Sequence, residues 1–212
     1  NDYGVSGTAP QRIALLEAGL RELSERDPQI AQAVAEAGPP VFELRPAGFP
    51  TLMRAIVAQQ VSAATARAIY ARLEEAVQPL TAERLQTLGP EILRECGFSR
   101  PKIKYAFALA ERVSDGRLPL AILDDLSDQQ IMEALTAVPG IGPWSAEVYM
   151  IFAMGRPDVW PAADLALQTA QQKLYELDER PKPKRSRELA EVWAPYRSVA
   201  ATLLWHYYRT MP

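Results

Sequence analysis

The stretch Leu135-Thr136-Ala137-Val138-Pro139-Gly140-Ile141-Gly142-Pro143-Trp144-Ser145-Ala146 decides how this chain reads. Ahead of it, Ser127 with Gln130 three residues on forms a capping box, starting a helix that turns Ile131, Leu135 and Val138 inward. Gly140 and Gly142 bracket an apolar residue and permit tight or left-handed backbone that side chains resist. Pro143 suits the first position of a second helix, because the N–H it lacks would be unpaired there. That second helix, 144–154, is apolar almost all round through Ala146, Val148, Tyr149, Ile151 and Phe152, so burial is expected, with Gly155 closing it. Such a turn points backbone N–H groups outward at a helix start, where the dipole favours an anion. A phosphate could sit there without a lysine, although a plain helical corner would share the Gly-x-Gly.

Helical patterning continues on both sides. Ala66, Ile69, Tyr70, Leu73 and Val77 follow helical spacing, as do Ile103, Ala106, Phe107, Ala110 and Val113. Near the C-terminus Leu189, Val192, Trp193, Tyr196, Val199, Ala200, Leu203 and Leu204 read as one further helical face. No alternating strand is present, so the fold is expected to be all-α. Eighteen prolines cut the helices into pieces, with breaks near Gly38-Pro39-Pro40, Gly48-Phe49-Pro50, Gly89-Pro90, Arg117-Leu118-Pro119 and Pro181-Lys182-Pro183. None of these is a long linker. Residues 1–10, small and polar without periodicity, are expected to be a flexible tail, leaving 11–212 as a single helical domain with the hairpin at about 127–155.

Composition narrows the chemistry. Of 212 residues 48% are hydrophobic and 23% charged, ordinary for a globular chain with a sizeable core. The lone Cys96 excludes an intrachain disulfide, a four-cysteine zinc site and a cysteine-held iron–sulfur cluster; the lone His206 argues against a histidine-rich metal site and reads as an ordinary half-buried histidine. No apolar run approaches the roughly 20 residues of a membrane span. A net charge of −3 offers no broad basic face, so by charge alone nucleic acid is not the obvious partner.

Five ordered motifs overrule that impression. The hairpin stretch resembles the motif of the helix-hairpin-helix DNA glycosylases. Some twenty residues on, Val159-Trp160-Pro161-Ala162-Ala163-Asp164-Leu165 resembles their Gly/Pro-rich loop ending in an essential aspartate. Upstream, Leu52-Met53-Arg54-Ala55-Ile56-Val57-Ala58-Gln59-Gln60-Val61-Ser62 resembles the Gln-Gln-Val-Ser segment of the 3-methyladenine DNA glycosylase II branch, which acts on alkylated bases. Gly97-Phe98-Ser99-Arg100-Pro101-Lys102 and Pro195-Tyr196-Arg197-Ser198-Val199-Ala200 fall at family-like places in the order. The resemblance spans about 49–208 and implies a two-lobed helical glycosylase fold with a cleft between the lobes. The larger bacterial relatives carry an extra N-terminal domain; a chain too short to hold it is expected to have a more open pocket.

Read from its neighbours, Asp164 is an N-cap ahead of a helix beginning at Leu165. The resemblance adds that this carboxylate drives hydrolysis of the N-glycosidic bond. The two roles are compatible, since a cap holds its carboxylate rigidly. A fixed negative charge stabilises the positive charge that develops on the sugar as the base departs, and it can orient or deprotonate water. Ala163 stands where related sequences often carry a second acid, which leaves Asp164 without a like charge beside it.

Lyase members of the family use a lysine just after the hairpin, where this chain has Trp144; 139–164 contains no lysine, so a monofunctional enzyme using water is expected. Trp144 and Trp205 match pocket tryptophans of the family, and Tyr149 joins them as an expected substrate-binding residue. A cationic alkylated purine on an indole face gains roughly 0.5–2 kcal/mol that a neutral base does not. Core packing would equally explain these aromatic side chains. Flipping a base out costs a few kcal/mol and needs a filler, for which Gln60 occupies the family's wedge position, while Ser62 caps the next helix. DNA contacts are expected from Gln60, Pro139, Gly140, Ile141, Gly142 and Lys102, Lys104 being a weaker candidate, with Ser99 capping that helix. The basic run Arg180-Pro181-Lys182-Pro183-Lys184-Arg185-Ser186-Arg187 reads as a solvated loop and stays outside the site.

The expected function is hydrolytic excision of alkylated bases from double-stranded DNA, leaving an abasic site. A non-enzymatic helix-hairpin-helix DNA-binding module, or a glycosylase for mismatched or oxidised bases, is the alternative. No cofactor is required, a monovalent cation at the hairpin being a family expectation. A cytoplasmic, nucleoid-associated monomer with modest affinity for undamaged DNA completes the expectation.

Overall fold

The computed structural model describes residues 7–211 and contains helices and no strand among them. No helix among them is long and apolar enough to cross a membrane. The chain divides into two compact units, residues 45–149 and residues 7–44 with 150–211.

The first unit opens with α3 (Phe49–Ala58) and α4 (Ala63–Ala76), continues through α5 (Ala82–Leu88), α6 (Pro90–Glu95) and α7 (Arg100–Ser114), and turns through a 3-10 segment, Leu120–Asp125, into α8 (Asp128–Thr136). The hairpin follows, and α9 (Pro143–Phe152) leaves it; the division of the chain falls within α9, after Tyr149. α7 packs against α3, α5 and α6, and α3 against α4. Leu52, Met53, Ile56, Leu73, Leu85, Leu93, Ala106 and Leu109 are sealed in its core. Three of these helices start at a side-chain cap: Ser62 accepts the Thr65 N–H ahead of α4, Thr81 that of Arg84 ahead of α5, and Ser127 and Gln130 form the expected box ahead of α8. Ser99 stands at the N-cap of α7 but makes no side-chain capping bond.

The second unit holds α1 (Ala9–Arg26), α2 (Pro28–Ala37), α10 (Leu165–Leu174), α11 (Pro183–Ala190) and α12 (Arg197–Thr210). α12 packs against α1, α2 and α10. Asp27 both caps α2, through the Gln29 and Ile30 N–H groups, and accepts the indole N–H of the fully buried Trp193 at 2.8 Å.

Two expectations are corrected. α1 begins at Ala9, inside the segment read as a flexible tail, because Thr8 and Gln11 form a capping box and Pro10 fits the first turn; residues 1–6 of that expected tail lie outside the described residues. The periodic run over 189–204 is not one helix. α11 stops at Ala190, a 3-10 turn covers Glu191–Trp193, and α12 starts afresh at Arg197. Pro195 has no N–H for the ladder and its ring disfavours helix at the residue before it, so the spacing survives while the helix does not.

Candidate functional site

In the first unit, the turn after α8 is built as its sequence demands in one glycine and differently in the other. Gly140 has φ +88°, and a β-carbon there would lie 2.3 Å from Cγ of Tyr105. It must therefore be glycine twice over, for its backbone and for the ring against it. Gly142 is not left-handed, and a β-carbon there would meet nothing within 4 Å. Its bareness exposes backbone instead of relieving strain. The Ile141 N–H bonds to the Val138 carbonyl at 3.0 Å, and the Gly142 carbonyl accepts the Ala146 N–H at 3.0 Å. The N–H groups of Gly140 and Gly142 find no partner among the described residues, which leaves two donors beside the start of α9.

A groove of about 940 Å³ lies over this turn. Its lining gathers seven of the expected site residues: Gln60, Lys102, Pro139, Gly140, Ile141, Gly142 and Trp144. Trp144 is 49% exposed, an unusual state for an indole that packing alone would cover. Gln60 is exposed in the turn after α3 with φ +54°, left-handed for a residue that carries a side chain. Lys102 is buried, and its Nζ donates to the Val57 carbonyl at 2.7 Å, in the last turn of α3. That satisfies a C-terminal carbonyl and the helix dipole together. Burial lowers the Lys102 pKa from its ordinary value.

Tyr149 does not line this groove. It is buried, its hydroxyl accepts the Gly48 N–H at 2.8 Å, and burial raises its pKa against the opposing influence of that bond. Val148 and Phe152 are half-buried where Ala146 and Ile151 are sealed, so α9 presents a less uniform face than its composition implies.

In the second unit, Asp164 stands as expected at the head of α10. Its Oδ1 accepts the Leu167 N–H at 3.0 Å, and the residue is half-buried. The loop leading to it is tied at several points. Asp158 accepts the Arg197 guanidinium twice and its backbone N–H once; Ser198 Oγ accepts the Val159 N–H at 2.8 Å; the Ser198 N–H reaches the Pro157 carbonyl at 2.9 Å. The Trp160 indole donates to Ser186 Oγ at 3.1 Å, and Gln168 Nε2 to the Ala162 carbonyl at 2.8 Å. A carboxylate at the end of such a loop has little freedom to move. Leu165, directly after it, is 60% exposed, an apolar side chain left in solvent beside the acid.

Trp205 is half-buried, its ring 5.4 Å from that of Phe152. His206 is half-buried too, its Nε2 2.9 Å from the Ala37 carbonyl. The basic run is helical from Pro183 onward as α11, and its charged residues are exposed. Among the described residues no group of three or more His, Cys, Asp or Glu could hold a metal ion.

Sequence reading did not single out Gln59, Tyr105, Asp158 or Ser198 as parts of either arrangement. Gln59 Nε2 donates to the Gly140 carbonyl at 2.6 Å across 81 residues, and no local pattern announces such a pair.

The chain is similar to known proteins in both sequence and fold. The family model described as HhH-GPD superfamily base excision DNA repair protein matches residues 53–195. DNA-3-methyladenine glycosylase 1 of Schizosaccharomyces pombe is 35% identical over 158 residues, 73% of this chain and 69% of its own length. The crystal structure of a DNA-3-methyladenine glycosidase from Bacillus halodurans superposes with a TM-score of 0.81 at 35% identity, over 88% of this chain and 87% of that one. A Schizosaccharomyces pombe 3-methyladenine DNA glycosylase in complex with abasic DNA superposes with a TM-score of 0.74 at 30% identity, over 89% of this chain and 95% of that one.

Proposed function

From the premise that this chain belongs to the HhH-GPD superfamily of base excision DNA repair proteins, we propose that it is a monofunctional 3-methyladenine-type DNA glycosylase. It hydrolyses the bond between an alkylated base and its deoxyribose and leaves an abasic site. The observation that carries this reading is Asp164, a carboxylate fixed by the Leu167 N–H at the end of a loop tied on both sides.

Asp164 works on a bond that is already weak. Alkylation places a formal positive charge on the purine, so the base leaves as a neutral group and needs little help from a general acid. Charge develops on the sugar ring, and a rigid carboxylate stabilises it without having to reorganise. The same oxygen atoms can orient the attacking water and take its proton. No lysine stands in 139–164 to form a Schiff base, which supports water as the nucleophile and argues against a strand-cleaving step.

Double-stranded DNA containing the lesion is the partner. The Gly140 and Gly142 N–H groups supply phosphate contacts that add nothing to the lysine and arginine count, which is how a chain of net charge −3 can hold nucleic acid. The exposed Trp144 offers an indole face to the cationic base, Trp205 and Tyr149 being the other aromatic candidates for the pocket, and Gln60 fills the vacancy left by flipping. The hydrolysis needs no cofactor. A monovalent cation at the hairpin would share carbonyls that already accept hydrogen bonds, those of Val138, Gly140 and Gly142. One chain carries both the hairpin and the carboxylate, so a monomer acting at the chromosome suffices.

The test is release of free base from duplex DNA treated with a methylating agent. Wild-type protein releases methylated purines, and Asp164→Asn binds the DNA and releases none. Binding by the wild-type protein without release would replace the enzyme reading with that of a DNA-binding module.

A further inference from the structure

The turn after α3 and the hairpin after α8 share a hydrogen bond. Gln59 Nε2 donates to the Gly140 carbonyl at 2.6 Å. The peptide unit that owns this carbonyl is held from its other side as well, because its N–H, that of Ile141, bonds to the Val138 carbonyl at 3.0 Å. With both ends engaged, the Gly140–Ile141 plane cannot rotate. The two N–H groups flanking it, of Gly140 and Gly142, are thereby aimed by a side chain that belongs to the other loop.

The constraint also acts in reverse. Gln60, the next residue, holds a φ of +54° and stands exposed. A left-handed residue with a side chain persists only where its surroundings hold it there. On the N-terminal side, Lys102 is bonded to the Val57 carbonyl at 2.7 Å and fixes the end of α3; at residue 59 itself, the hairpin supplies the anchor. Gln60, Lys102, Tyr105 and the hairpin line the same groove.

We propose that Gln59 is a positioning residue that makes the hairpin's grip on phosphate and the insertion of Gln60 a single rigid event, so that excision from a fully paired duplex depends on it and excision of a base that need not be extruded does not. This role rests on the glycosylase reading above. It follows from what a flipping enzyme must do. Extrusion costs a few kcal/mol, and the filler must be in place while the strand is held. A filler on a loop that moves independently of the phosphate grip loses part of that advantage.

Gln59→Leu keeps the side chain's bulk and removes its donor; Gln59→Glu keeps the shape and sets a carboxylate against the carbonyl. Each variant is assayed in single turnover with one alkylated base placed opposite its normal partner or opposite an abasic position, where extrusion is already favoured. Thermal melting and affinity for abasic duplex are measured alongside. The expected result is melting and abasic-duplex affinity near wild type, excision from the paired duplex down about tenfold, and less than about threefold loss on the unpaired substrate. A 2-aminopurine beside the lesion would report less flipping in the paired duplex. Equal losses on the two substrates, or none on either, would overturn the role of Gln59. Absence of base release by wild-type protein would instead overturn the glycosylase reading itself.

Discussion

The guanidinium of Arg197 grips the carboxylate of Asp158 through two hydrogen bonds of 2.7 Å, and the Arg197 backbone N–H adds a third at 3.1 Å. Their side chains are only 29% and 20% exposed, so this pair is screened far less than the Arg185–Glu188 pair, at 58% and 44%. Removing one partner leaves the other charge partly buried. Arg197→Ala is expected to cost about 1–3 kcal/mol, and Arg197→Lys to recover little because it cannot reproduce the forked geometry. Arg185→Ala should cost less than about 0.5 kcal/mol. Urea denaturation of the three variants checks this. Because the pair secures the loop that ends in Asp164, Arg197→Ala should also lower the rate of base release more than it weakens DNA binding.

Asp164 caps α10, and different substitutions separate that role from the proposed catalytic one. Asparagine caps a helix about as well as aspartate, so Asp164→Asn should melt near wild type and release no base. Asp164→Ala loses the bond to the Leu167 N–H and is expected to cost about 1 kcal/mol as well as the activity. Melting curves beside base-release assays distinguish them. Turnover by Asp164→Asn at the wild-type rate would remove this residue from the mechanism.

The two hairpin glycines should respond differently. Gly140→Ala forces a left-handed alanine and a β-carbon 2.3 Å from the Tyr105 ring, so a loss of about 2 kcal/mol or more in stability is expected. Placing Gly140→Ala in a Tyr105→Ala background should return only part of the steric share, because the β-carbon of residue 105 still lies 2.8 Å away, and should leave the backbone share. Gly142→Ala meets nothing within 4 Å and should melt within about 0.5 kcal/mol of wild type. On the proposed phosphate contact at the hairpin it should nonetheless weaken DNA binding, because its methyl group would stand between the phosphate and the backbone.

Alkaline pH should unfold the second unit through its tyrosines. Burial is the chief cause pushing Tyr175 and Tyr207 up to about 12, helped by the Asp27 charge for Tyr175 and by the bond to Glu36 for Tyr207. Their ordinary value is 10.0, so between pH 10 and about 12 the unfolded chain gives up protons that the folded chain keeps. The stability these groups contribute is complete below pH 10 and is lost as pH climbs toward about 12. Tyr207→Phe, although it loses the bond to Glu36 at neutral pH, should flatten the fall in melting temperature across that range.

The parts of the site that local chemistry decides were legible. A capping bond spans three residues, so Ser127 with Gln130, Ser62 and Asp164 could be placed from their neighbours, and Pro143 could be placed at the start of α9. The signals for α1, Thr8 with Gln11 and Pro10, were equally local, and the polar composition around them concealed them. The interrupted run at 189–204 shows the limit of periodicity: it reports which residues face inward, and Pro195 decides whether the helix is continuous.

By itself, the sequence determined an all-α chain, the hairpin, the order of the motifs and the carboxylate at the head of α10, because each depends on backbone preferences and bonds within one helical turn. Only the tertiary structure decided that Lys102 turns to the Val57 carbonyl, that Tyr149 holds the Gly48 N–H, and that Gln59 reaches Gly140 from 81 residues away. Long polar side chains can reach many partners, and which one they meet is settled by the packing of apolar helices that brings distant backbone alongside them.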